Sequence, residues 1–255
     1  IDGNGKINKI SRNSENLSDR EYFWASIGGM GLTGVIIEAT FSIISIPTSF
    51  IKVDTKKFNS LKELKNAMIY ADLNYKYSVA WIDSINENGR GVLTYGRHAE
   101  LEELSEEIKD PFNYEPKYLA KAPPIFPKGL LNKFTVGIFN EAWYRKANID
   151  KKGELQNISE FFYPLDGIDN WNNIYGSKGF IQYQFVIPDE SDYLIEKTFY
   201  KLRQINAYSF LTVLKRFGDS NKGFISFPKK GWTLAIDIAA GKKELYKTLD
   251  ELDKE

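Results

Sequence analysis

The chain has 255 residues, with 34 Lys+Arg against 34 Asp+Glu, no cysteine and a single histidine, His98. That inventory excludes zinc fingers and other Cys/His metal centres, disulfide frameworks, thiol nucleophiles and Fe–S clusters. The neutral balance argues against a general nucleic-acid binder, while 42% hydrophobic and 15% aromatic residues suffice for a substantial core rather than a disordered chain.

The N-terminal stretch Asp2-Gly3-Asn4-Gly5-Lys6-Ile7 predicts a turn entering a strand over 3–10. It resembles the middle of a calcium loop. If Gly5 took the sixth place, however, the twelfth would fall on Ser11, where a bidentate Glu is required. Ser18, three residues before Glu21, predicts a capped helix through Trp24. Residues 28–34 form a glycine-rich loop. The β-branched run 35–46, ended by Pro47, predicts a long strand. Gly29-Met30-Gly31-Leu32-Thr33-Gly34 fits G-x-G-x-x-G, but the dinucleotide fingerprint needs a strand before the glycines and a helix after them. Here the order is reversed, so a Rossmann site is disfavoured.

Further strands are expected at 50–55, 77–83 and 91–95, with a helix over 60–72 capped by Ser60 and Glu63. Residues 98–110 are acidic and predict a solvated helix face or loop. Residues 111–128 carry five prolines and predict an irregular connection. A helix follows at 130–146, then an extended piece at 161–166 and a short helix at 167–175. The last third predicts a strand at 180–187, a helix at 190–205, a strand at 209–217, a hairpin-like pair at 223–227 and 232–238, and a helix at 242–252. Helices and antiparallel strands without a βαβ rhythm indicate an α+β fold. No apolar run approaches the ~18 residues of a membrane span and no leader is visible. Beginning at Ile1, the chain is expected to be a piece of a longer protein.

The segment from Glu21 through Gly28-Gly29-Met30-Gly31-Leu32-Thr33-Gly34 to Thr40 resembles the vanillyl-alcohol-oxidase/p-cresol-methylhydroxylase superfamily of FAD-linked oxidoreductases. Three later stretches share the resemblance: Phe161-Phe162-Tyr163-Pro164-Leu165-Asp166 with Trp171-Asn172, Gly179–Pro188, and Phe227–Asp237. Together they are most similar to the decaprenylphosphoryl-β-D-ribose 2′-oxidase branch. The resemblance implies that residues 1–47 end a PCMH-type FAD-binding domain and that 48–255 form a substrate domain, incomplete at its C-terminus, with an antiparallel sheet and helices. It implies FAD contacts at Gly31, Thr33, Gly34, Val35 and Ile36, and substrate contacts at Gln182, Gln184, Lys215 and Thr233. The spacing of the two glutamines, two residues apart on a strand, independently puts both amides on one face. Where relatives carry a cysteine this chain has Ala235, and where they carry an asparagine it has Thr233. The family's catalytic-side lysine lies beyond Glu255, so no catalytic residue is assigned.

The implied activity is oxidation of a secondary hydroxyl of a sugar or polyprenyl-phosphoryl sugar by hydride transfer to FAD. The alternative is a non-catalytic phosphosugar-binding module. This chain alone is expected to be inactive and to hold FAD weakly or not at all, because the family's pyrophosphate-binding half precedes Ile1. A short-chain dehydrogenase/reductase partner, peripheral membrane contact and a cytoplasmic location follow by family analogy. No metal and no nucleic acid are expected. The Pro-rich segment, with Ile125 and Phe126, is expected to cover an apolar substrate tail. A hydrolase built on His98 is disfavoured because no G-x-S-x-G elbow is present, and His98 is expected at the surface or in a turn.

Overall fold

A computed structural model describes residues 1–114, 116, 120–122, 131–147 and 151–255. The backbone of the sheet consists of β1 (Phe50–Phe58), β2 (Tyr77–Ile82), β3 (Gly91–His98), β5 (Lys151–Asn157), β7 (Phe180–Ile187), β8 (Thr212–Phe217) and β9 (Gly231–Ala239). These seven strands run in the order β5-β1-β3-β2-β8-β9-β7, and every pairing among them is antiparallel. Two-residue strands β4 (Ala120–Lys121) and β6 (Ile168–Asp169) pair in parallel apart from it. The helices are α1 (Leu17–Ser26), α2 (Leu61–Asn74), α3 (Lys133–Lys146), α4 (Ile158–Phe162), α5 (Tyr193–Gln204) and α6 (Lys243–Leu252). The architecture is α+β, as the sequence predicts.

Helices α2, α5 and α6 cover one face of the sheet. Their buried residues Leu64, Met68, Ile195, Phe199 and Leu245 join Ala80, Leu93, Leu214, Leu234 and Ile236 of the strands in one core. Alternation sends the neighbours of those strand residues to the opposite face. Capping agrees with the sequence at α2, where the Ser60 hydroxyl accepts from the Glu63 amide at 3.3 Å. At α1 the cap shifts two residues upstream, and Asn16 Oδ1 accepts from the Ser18 amide at 2.8 Å.

The seven strands fall into two groups, β5-β1-β3-β2 and β8-β9-β7. They meet at a seam between β2 and β8 with only two paired positions, Ala80↔Leu214 and Trp81↔Val213. Side chains reinforce the seam. Trp81 Nε1 donates to the Phe210 carbonyl at 2.9 Å, and Ser84 Oγ donates to the Ser209 carbonyl at 2.9 Å.

Four expectations are corrected. Residues 35–46 form no strand. They run irregularly, with Val35, Ile36, Ile37, Phe41, Ile43 and Ile44 exposed. β-propensity expresses itself only against a neighbouring strand, and here Val35 alone is paired, exchanging bonds with Ile1 at 2.7 and 2.8 Å. Residues 3–10 likewise contain a turn but no strand, the turn being held by Asp2 Oδ1, which accepts from the Asn4 and Lys6 amides. Residues 223–227 form a turn, so the hairpin partner of β9 is β8. Residues 161–166 are not one extended piece, because α4 occupies 158–162. The Pro-rich expectation at Ile125 and Phe126 lies outside the described residues.

Candidate functional site

Strand register assembles the predicted substrate residues from the sequence upward. In an antiparallel pair, directly opposed residues share a face. Lys215 opposes Thr233, and Thr233 opposes Val186. One row along, Trp81 opposes Val213, Val213 opposes Ala235, and Ala235 opposes Gln184. In the next row Asp237 opposes Gln182, and its amide donates to the Leu211 carbonyl at 3.1 Å. Gln182, Gln184, Lys215 and Thr233 therefore stand together on the sheet face away from α2, α5 and α6. Neighbouring strands are about 4.8 Å apart, so groups in adjacent rows fall within reach of one small ligand.

The polar groups on this face differ in their freedom. Gln184 Nε2 donates to Thr233 Oγ1 at 3.1 Å, fixing the amide's orientation. Thr233 is buried while Gln182, Gln184 and Lys215 are exposed. Lys215 has no carboxylate partner among the described residues, whereas its neighbour Arg216 points to the other face. There Arg216 grips Asp189 at 2.7 and 3.0 Å and lies 4.4 Å from the Trp232 ring centroid. An unpaired ammonium beside two amides and a hydroxyl suits an anionic, polyhydroxylated ligand.

Beside Gln182 in its row, Asp237 is only 2% exposed. Burial pushes its carboxyl above the ordinary range, against a hydrogen bond from Gln182 that pulls it down. Its Oδ2 has no hydrogen-bond partner, and neither has the buried Tyr175 hydroxyl. Tyr175 stacks on Phe180 at 4.5 Å and on Phe210 at 5.4 Å. Burial and the adjacent Asp237 charge push its phenol upward. Trp171 and Phe139 extend this aromatic wall, contacting Phe180 and Phe210, each at 5.3 Å.

At another margin of the sheet is His98. The expectation of a surface or turn histidine is corrected, since it is 8% exposed and ends β3. Its Nδ1 lies 2.8 Å from the Thr48 carbonyl and its Nε2 3.2 Å from the Tyr77 hydroxyl. A carbonyl can only accept, so Nδ1 carries the proton and Nε2 accepts from Tyr77. Both ring nitrogens are thereby satisfied, which is the arrangement of a structural histidine.

The glycine-rich segment is built on α1. Tyr22 OH donates to the Thr33 carbonyl at 2.6 Å, and Ser26 Oγ lies 2.9 Å from Thr33 Oγ1. Gly31 and Gly34 have φ of +76° and +142°, values that favour glycine. A Cβ on Gly31 would meet nothing within 4 Å, whereas one on Gly34 would strike the Ile1 carbonyl. The loop thus presents an open backbone at Gly31, with Val35 and Ile36 exposed beside it. Of the predicted cofactor residues, only Gly31 presents backbone with open space around it, while Gly34 is closed by the Ile1 carbonyl. The β8–β9 connection abuts the same region, since a Cβ on Gly223 would approach the Ile27 carbonyl to 2.9 Å.

The sequence could reveal the glutamine pair through its period of two. It gives no sign that Trp81 and Val213 join them, because that depends on a strand pairing across the seam. The buried state of Asp237 and Tyr175 is equally a product of packing. Among the described residues no cluster of His, Asp and Glu could hold a metal ion, and no helix is long and apolar enough to cross a membrane.

Comparison with known proteins finds four relatives, two of which are described here. The chain is 38% identical over 243 residues to the decaprenylphosphoryl-β-D-ribose oxidase of Mycolicibacterium smegmatis, covering 92% of this chain and 52% of that protein. It is 27% identical over 246 residues to an uncharacterized Streptomyces coelicolor protein encoded in the mprA 5′ region, covering 91% of this chain and 66% of that protein. The chain therefore spans about half the length of the first of these relatives and about two thirds of the second. No family model matches it.

Proposed function

This chain is a relative of decaprenylphosphoryl-β-D-ribose oxidase, and we propose that it is the substrate-facing portion of an FAD-dependent oxidoreductase. The substrate is a sugar carrying a phosphate, in its natural form a polyprenyl-phosphoryl pentose, and the reaction is oxidation of a secondary hydroxyl. The observation that carries this reading is the convergence of Gln184, Thr233 and Lys215 on one open sheet face, with Gln182 and Asp237 in the adjoining row. Residues 1–47 then belong to the FAD-binding domain and 48–255 to the substrate domain. FAD, when bound, supplies a hydride acceptor for the carbinol carbon.

The chain's own residues bind and orient. The Lys215 ammonium attracts the phosphate or another anionic substituent as a point charge. Gln182 and Gln184 offer amide donors and acceptors to ring hydroxyls, and Thr233 holds the Gln184 amide in one orientation. Asp237 holds the Gln182 amide, and burial raises its carboxyl against that hydrogen bond. Ala235 provides a small apolar floor between the Gln184 and Val213 positions. On the cofactor side, Gly31, Thr33, Gly34, Val35 and Ile36 are assigned to backbone contact with FAD, on the strength of the open backbone at Gly31.

Calorimetric titration of this chain with ribose 5-phosphate tests the reading. Saturable binding is expected, weakened about tenfold in Lys215→Ala, the loss of one charge-assisted contact. Equal affinity of the two proteins would overturn the assignment. Turnover of a phosphoryl pentose by the longer protein with added FAD separates the enzyme from a phosphosugar-binding module, which would bind without oxidising.

A further inference from the structure

Among the described residues four buried side-chain atoms have no hydrogen-bond partner: Asn140 Oδ1, Tyr175 OH, Thr212 Oγ1 and Asp237 Oδ2. Such an atom has given up its hydration for nothing, so each one asks for an explanation. Two of the four stand apart. Asn140, on α3, is held through its other end, since Nδ2 donates to Asp83 Oδ1 at 2.7 Å. Thr212 opposes Ile236, a residue of the core under the helices, and so lies on the helix-covered face.

The remaining two meet on the opposite face, at the end of the glutamine rows. Asp237 opposes Gln182. Phe180, two residues before Gln182, shares that face. Tyr175 packs on Phe180 and on Phe210, with centroids 4.5 and 5.4 Å away and rings inclined by 25° and 27°. Phe180 belongs to β7, on one side of β9. Phe210 leads into β8, on the other, and its neighbour Leu211 receives the Asp237 amide at 3.1 Å. The phenol is thus braced from both strands that flank Asp237, close enough for the Asp237 charge to act on it. Tyr175 is 7% and Asp237 2% exposed. One group offers a donor and the other an acceptor, and neither is used.

We propose that Tyr175 and Asp237 are a specificity-determining pair that holds one ring hydroxyl of the pentose, the phenol donating to it and Asp237 Oδ2 accepting from it. A hydroxyl is donor and acceptor at once, so it satisfies both atoms together. A second anion at this end is repelled by the carboxylate, and an apolar substituent leaves both atoms unpaired. Sites built on hydrogen bonds to a hydroxyl reject analogues that lack it for this reason. The inference rests on the phosphosugar reading and deepens it, placing the phosphate at Lys215 and a ring hydroxyl at Asp237. Entry requires displacing only a short cover. Tyr175 ends the five-residue 3-10 turn Trp171–Tyr175, bounded by Asn170 and Gly176 with φ of +57° and +71°.

Melting without ligand and calorimetric titration with ribose 5-phosphate, both on the 255-residue chain, test the pair. Tyr175→Phe removes only the orphaned hydroxyl. It is expected to melt about 3 °C higher than the parent and to bind ribose 5-phosphate about tenfold more weakly. A hydroxyl that merely supports the fold gives neither result. Asp237→Asn, which puts an amide donor where Oδ2 accepts, is expected to lose affinity to a similar degree. Thr212→Val also removes an orphaned hydroxyl, but from the helix-covered face, and should melt no lower than the parent and bind as the parent does. Unchanged affinity in Tyr175→Phe, with Lys215→Ala weakened, would overturn the pair and leave the sugar reading standing. A lower melting temperature for Tyr175→Phe would also overturn it, by showing the hydroxyl to be partnered in the free protein. Absence of binding by the parent would overturn the sugar reading and the pair together.

Discussion

Asp237 couples the candidate site to pH. Burial raises its carboxyl above 3.8, outweighing the Gln182 hydrogen bond. The folded state therefore holds this proton more tightly than the unfolded chain does. The resulting stabilisation is complete below the ordinary carboxylate value and is lost as pH rises through the folded-state value. Asp237→Asn keeps the acceptor for Gln182 and removes the ionisation. It is expected to melt higher than the parent at neutral pH, with the gap closing toward pH 3, measured by calorimetric melts across that range. Glu103 has the opposite sign. Arg97 and Lys52 hold it well below its ordinary range, so its contribution is lost as pH falls. At this scale the sequence was partly legible. The alternation of Gln182-Tyr183-Gln184 displayed the shared face, because a strand's period is local. The burial of Asp237 and His98 was not, because it depends on groups far along the chain.

Elements were legible where local pattern and tertiary need coincide. Strand β7 has the predicted limits, and α2 starts at its predicted Ser60 cap. Strand β5 was missed because Lys151-Lys152-Gly153-Glu154-Leu155-Gln156-Asn157 carries one large apolar residue. It exists because the edge of β1 accepts it, with Asp54 Oδ1 receiving the Gly153 amide at 2.7 Å where the register shifts. Residues 35–46 show the converse, strong strand propensity without a neighbour. Close backbone approach also fixes β1 against β3. A Cβ at Gly96 would come within 2.5 Å of the Lys52 carbonyl and 2.9 Å of Ile51 Cγ2. Gly96→Ala must displace one strand, and a loss of about 3 kcal/mol is expected in urea unfolding.

Across the whole molecule, order is uneven. The sheet and its three helices hold the core, while residues 1–47 contribute α1 and a long irregular run. Amide hydrogen exchange should separate the two regions. Residues 36–46 are expected to exchange within the dead time of manual mixing, while β8 and β9 amides retain protection near the global limit. Protection of 36–46 comparable to that of β9 would show that the run is paired. The seam between β2 and β8 carries a further consequence, which concerns the order of folding. Its contacts join residues 129 apart, as in the bond from Trp81 to Phe210. Such distant contacts are the slowest to form, since chain closure precedes any gain. The row Trp81, Val213, Ala235 and Gln184 crosses that seam. Gln182, Gln184, Lys215 and Thr233 can come together earlier, within the group β8-β9-β7. The complete candidate face exists only once the long loop across the seam has closed, so the binding capacity proposed for it is expected at the end of folding rather than with the strands that carry most of its residues.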